Sequence, residues 1–141
     1  VLRVTWKLPT ANGNSGVFLR VPDIQAKESP SGYAMEIQIL DDDGPNYVGK
    51  LKPYQYSGSV YHFFPRTKSM YQKGEWNTFE ITCKGNQVIV VYNGAKVVDG
   101  DMSKIPELDK RPRRGMIGLQ NHGSAVEFRE VSIRVLDAKE R

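Results

Sequence analysis

The chain has 141 residues, 39% hydrophobic and 26% charged, with a net charge of +4 and one cysteine. The apolar share is enough for a packed core, which sets a disordered chain aside, and the length suits one domain over residues 1–141. No apolar run approaches the ~18 residues of a membrane span, no signal sequence is expected, and the lone Cys83 excludes an internal disulfide.

Leu2, Val4, Trp6 and Leu8 alternate with Arg3, Thr5 and Lys7, the period-2 signature of a half-buried strand. ANGNSG at 11–16 is turn chemistry, and GVFLRV extends to residue 21 as a second strand. YAMEIQIL at 33–40 predicts a third, with Met35, Ile37 and Ile39 on one face and Glu36 and Gln38 on the other. From Asp41 to Gly58 the chain is rich in Pro, Gly and Tyr and reads as a long loop, before a further extended run, SVYHFF at 59–64. The acidic run Asp41-Asp42-Asp43-Gly44 lacks the remaining ligands of a calcium loop and reads as a solvated turn.

WNTFEITCK (76–84) and QVIVVYN (87–93) flank Gly85-Asn86, and Asn93-Gly94 turns the chain again into AKVVD, which together predict an antiparallel meander. MSKIPELDK holds at most one short helical turn, because Pro106 interrupts it. Lys110, Arg111, Arg113 and Arg114, broken by Pro112, read as a solvated basic loop. No recognition helix, zinc-finger spacing or aromatic RNA motif accompanies them, so nucleic acid is not an expected partner. MIGLQNH and VEFREVSIRVL flank Gly123-Ser124 as a final hairpin, and the apolar phase of the last strand changes between Phe128 and Val131, which predicts a bulge near Arg129-Glu130.

About nine short strands joined by Gly/Asn turns argue for an all-β fold, an antiparallel two-sheet sandwich of jelly-roll type. Strand phase predicts a core containing Val4, Trp6, Ile37, Ile39, Ile81, Val90, Leu119 and Ile133, with Trp76 and Phe79 also read as core. The opposite phase puts Arg20, Glu36, Gln38, Gln120 and His122 together on an outer surface. A concave polar face near aromatic rings suits sugars, and the loop from 41 to 71 supplies Tyr47, Tyr54, Tyr56, Tyr61 and Tyr71.

The segments NSGVFLRV (14–21), GYAMEIQILD (32–41), SGSVY (57–61), GEWNTFEITCKGNQVIVVYNGAKVVD (74–99) and GLQNHGSAVEFREVSIRVL (118–136) closely resemble the 3-keto-disaccharide hydrolase domain family, which has a concanavalin A-like lectin/glucanase fold. Members commonly carry a further N-terminal stretch with a strand or more, so either the two sheets are complete without one or an N-terminal part has been lost. The resemblance also implies bacterial secreted or periplasmic proteins that act on glycosides whose sugar bears a ketone at carbon 3.

That chemistry has a clear demand. The ketone acidifies the hydrogen on carbon 2, a base removes it, and the enolate expels the group on carbon 1. The resemblance then implies Glu36 or His122 as the base, with Arg20, Gln38 and Gln120 polarising the ketone or holding hydroxyls and Tyr61 lending a ring. A divalent metal on Glu36 and His122 would polarise the ketone as well, although two ligands do not make a site. Two rival readings stand beside it. A laminarinase-type glycosidase needs paired carboxylates, but the positions two and four residues after Glu36 are Gln38 and Leu40. A lectin-like module would bind glycan without altering it.

Overall fold

The computed structural model describes residues 1–23, 29–137 and 139–140. Among them are eight strands in two antiparallel sheets. The larger sheet contains β1 (Leu2–Lys7), β4 (Asn77–Lys84), β5 (Gln87–Tyr92), β6 (Ala95–Asp101) and β8 (Glu127–Ile133), in the order β6-β5-β4-β1-β8. The smaller contains β2 (Asn14–Val21), β3 (Met35–Leu40) and β7 (Met116–Leu119), in the order β3-β2-β7. The helical content is slight: short 3-10 turns and one four-residue helix, α1 (Pro106–Asp109), with no described helix long and apolar enough to cross a membrane.

Alternation explains why the sheets face each other. Val4, Trp6, Ile81, Val90 and Tyr92 from one sheet meet Val17, Leu19, Ile37 and Ile39 from the other, all buried in one cluster. Its centre is aromatic. Trp6 lies 5.3 Å from Phe79, which lies 4.7 Å from Tyr92, in tilted and edge-on arrangements that rings prefer. The β5–β6 connection is the two-residue Asn93-Gly94 turn, with φ of 45° and 83°, the left-handed pair that matches strand twist.

Three expectations about the sheets need correction. The segments flanking Gly123-Ser124 are not a hairpin, because β7 belongs to the smaller sheet and β8 to the larger. The Ser124 hydroxyl instead bonds the backbone N–H and C=O of Asn14 (2.7 and 2.9 Å), so the chain crosses between layers there. Leu119 and Ile133 are exposed (43% and 64%), since β7 and β8 are edge strands and nothing among the described residues covers their core-facing phase. SVYHFF is not a strand but a tight turn, in which Val60 bridges Ile37 on one side and Phe64 on the other. The predicted bulge is present: β1–β8 pairing shifts register between Thr5↔Glu130 and Trp6↔Phe128, which leaves Arg129 unmatched.

The acidic turn and two other surface readings also change. Asp41 and Asp42 are buried, not solvated. Asp41 accepts hydrogen bonds from the Asn12 N–H (2.9 Å) and the Tyr71 hydroxyl (3.3 Å). Asp42 accepts the Ser57 N–H (2.8 Å) and pairs with Arg66. The run therefore ties down the 41–71 loop. In the basic stretch Arg111 is nearly buried, bonded to the Ala34 carbonyl and to Glu107. Trp76 is outside the core, its ring lying between Lys7 (4.9 Å) and Arg129 (4.7 Å).

Candidate active site

The site is built on the face of the smaller sheet that points away from the core. The register pairs Glu36 with Phe18 and Gln38 with Gly16, and Phe18 with Gly118 on the far side. Gln120 continues that edge, its N–H donating to the Gly16 carbonyl at 2.9 Å. Residues 58–61 extend the sheet beyond β3: the Tyr61 N–H donates to the Glu36 carbonyl (2.8 Å) and the Gln38 N–H to the Ser59 carbonyl (3.0 Å). Cross-strand partners share a face. One rung is therefore Tyr61, Glu36, Phe18 and Gly118, and the next is Ser59, Gln38, Gly16 and Gln120.

Gly16 has a specific use in this grid. A Cβ at that position would sit 2.9 Å from Glu36 Cγ and closer still to its carboxyl oxygen. The missing side chain lets the Glu36 carboxyl lean across β2 to the Gln120 side chain, with which it hydrogen-bonds. Gly16→Ala is expected to push the carboxyl off this position and lower turnover roughly 10-fold, with the protein still folded. Steady-state kinetics checks it, and an unchanged rate would show that the carboxyl's place is immaterial.

The environment of Glu36 is unusual for an acid. Only 8% of the residue is exposed, and burial pushes its pKa up to about 7, partly offset by the Gln120 hydrogen bond. Such a carboxyl is poised to lose and regain a proton near neutrality. Beside it, Gln38 Oε1 and Gln120 Oε1 are buried with no hydrogen-bond partner. Unpartnered buried acceptors cost free energy that the hydroxyls of a bound sugar would recover.

The remaining predicted residues divide. Tyr61 joins Glu36 in the lining of a cavity of about 180 Å³. Gln120 and His122 line an adjoining groove of about 460 Å³, and Ser31 touches both spaces. Arg20 does not join them. Its φ of 57° breaks the alternation of β2, and its guanidinium runs to the Gly85 carbonyl (2.9 Å) and Met102 Sδ (3.3 Å). The loop tyrosines disperse too. Tyr54 packs edge-on to Tyr61 (6.1 Å), whereas Tyr56 lies under Arg66 and Tyr71 stacks on Trp6.

Three titratable residues that the sequence did not single out as site residues, His62, Glu107 and Arg111, also line the smaller cavity, Glu107 and Arg111 paired with each other at 2.6 Å. Among the described residues, no group of three or more His, Cys, Asp or Glu side chains is close enough to hold a metal ion. Glu36 and His122 alone do not make a metal centre, and no step below uses one.

Comparison with known proteins follows this geometry. Two solved structures of candidate glycosyl hydrolases from Parabacteroides distasonis ATCC 8503 are similar to this chain. One is 30% identical, with a TM-score of 0.85, covering 96% of this chain and 77% of its own. The other is 28% identical, with a TM-score of 0.77, covering 96% of this chain and 71% of its own. No curated protein matches. The family model of the 3-keto-alpha-glucoside-1,2-lyase-like domain matches residues 1–134, and the chain belongs to that family.

Proposed function

We propose that this domain cleaves glycosides whose sugar carries a ketone at carbon 3, by elimination followed by addition of water. The observation that carries the reading is one buried carboxyl, Glu36, with a pKa near 7 and no second carboxylate on its strand face. Glu36 takes the proton from carbon 2. The electrons of that bond form an enolate with the ketone oxygen, which the side-chain amides of Gln38 and Gln120 and the imidazole of His122 stabilise. The enolate collapses, carbon 1 and carbon 2 become doubly bonded, and the carbon 1–oxygen bond breaks. Water then adds at carbon 1 while a proton returns to carbon 2. Tyr61 flanks the sugar, which is presented from the extracellular or periplasmic side of a bacterial cell.

The test is a 3-keto disaccharide incubated in deuterated water. Sugar release with deuterium at carbon 2 is expected, and the unoxidised disaccharide should remain intact. Because Glu36 acts as its carboxylate, kcat/KM should rise as the pH climbs through about 7. Cleavage of the unoxidised disaccharide at a comparable rate would replace this reading with an ordinary glycosidase. Binding of the keto sugar without turnover would replace it with a lectin-like module.

A further inference from the structure

We infer that His62 is a second catalytic residue of this site, the acid that protonates the leaving oxygen; the inference rests on the elimination chemistry above. Elimination leaves two unequal proton problems. Glu36 removes a proton from carbon 2, but the oxygen leaving carbon 1 of a disaccharide departs as a poor, strongly basic alkoxide unless something protonates it. Glu36 is engaged at carbon 2. An arginine side chain is not a proton donor to an alkoxide in ordinary enzyme chemistry, and Glu107, the other carboxyl of the cavity, is the ion-pair partner of Arg111. A histidine is suited to the task near neutrality.

The backbone places His62 for it. The turn from Val60 to Phe64 is closed by reciprocal bonds, Val60 N–H to Phe64 C=O at 2.9 Å and Phe64 N–H to Val60 C=O at 3.0 Å. Val60 is bridged to Ile37, so the turn is anchored to the strand that carries Glu36. Residue 62 sits at its tip with a φ of 72°, a left-handed conformation that strains a non-glycine residue. Glycine would occupy this position without strain. Histidine stands there instead, its ring set edge-on against Tyr54 (5.2 Å) and Phe63 (5.3 Å), lining the same 180 Å³ cavity as Glu36 and Tyr61. Exposure at the cavity mouth lets the ring regain its proton from solvent after each turnover. His122 lies in the adjoining groove with Gln120, its partner in stabilising the enolate.

In balance, the imidazolium N–H bond breaks as the carbon 1–oxygen bond breaks, the proton goes to the leaving oxygen, and neutral imidazole remains. Two substrates with the same oxidised sugar separate this role from a structural one. A 3-keto disaccharide needs the acid, whereas a 3-keto 4-nitrophenyl glucoside expels a phenolate that leaves unaided. His62→Asn, which tolerates the left-handed backbone, is expected to slow the disaccharide by ~100-fold and the nitrophenyl substrate by no more than a few-fold. His62→Gly should show the same split while melting at a higher temperature, since it relieves the strained φ. Equal slowing of both substrates, or of neither, in variants that remain folded overturns the assignment and leaves the proposed function standing. A parent enzyme inactive on both substrates overturns the proposed function and this assignment together.

Discussion

Glu36→Gln is expected to lower turnover of a 3-keto disaccharide by ~100-fold or more and, at pH 8, to raise the melting temperature of the same protein. The two effects share one cause. Burial raises the folded-state pKa of Glu36 from 4.5 to about 7, so the fold favours the neutral acid. The stability this contributes is fully present below about pH 4.5 and is lost as pH rises through about 7, a loss of at most about 3 kcal/mol. Glutamine never ionises and escapes that loss. At pH 4.5 and below the parent and variant should melt alike; at pH 8 the variant should melt higher while its rate has collapsed. A rate within a few-fold of the parent would remove Glu36 as the base. A variant that melts lower at both pH values would assign the residue to packing.

Asp42→Ala is expected to destabilise the protein by about 3–5 kcal/mol, the usual result of stripping one partner from a buried ion pair. Asp42 and Arg66 side chains are 4% and 9% exposed. Burial pushes the Asp42 carboxyl up, and the Ser57 N–H and Arg66 pull it back. Arg66 also donates to the Ser57 carbonyl (2.9 Å) and covers the Tyr56 ring, so alanine leaves a nearly buried guanidinium without its counter-charge. Urea unfolding measures the loss. The double variant Asp42→Ala/Arg66→Met should lose less than the sum of the single losses, because the stranded charge is gone. A single-variant loss below about 1 kcal/mol would mean that solvent reaches the pair and screens it.

Local periodicity made the two layers legible. Leu2 to Leu8, Met35 to Ile39 and Phe79 to Lys84 alternate, Gly85-Asn86 marks the turn into the apolar run Val88 to Tyr92, and the phase change after Phe128 marked the bulge at Arg129. The pairing of Glu36 with Gln38 on one face was legible for the same reason, and so was the continuation of that face toward Gln120. What the sequence hid depends on partners far along the chain or on rare backbone angles. Gly123-Ser124 looks like a hairpin turn until Ser124 is seen bonded to Asn14, 110 residues away. Arg20 shares the parity of Phe18, yet a φ of 57° at a non-glycine residue turns it off the face. The left-handed angle at His62 is equally silent in a run that reads as extended. The acidic turn at 41–43 looked solvated because Arg66 and Tyr71, which engage its carboxylates, come more than twenty residues later.

The separation of the two tryptophans gives the protein two independent optical reporters. Trp6 lies at 0% exposure among Tyr71, Phe79 and Tyr92, so its emission is blue-shifted and inaccessible to dissolved quenchers while the sandwich is intact. Trp76 sits at the surface between two cations, where iodide is drawn toward the ring and quenches it readily. Quenching the outer ring leaves a spectrum that reads the core alone. The iodide-sensitive remainder follows the bulge at Arg129, where the edge strand β8 shifts register against β1.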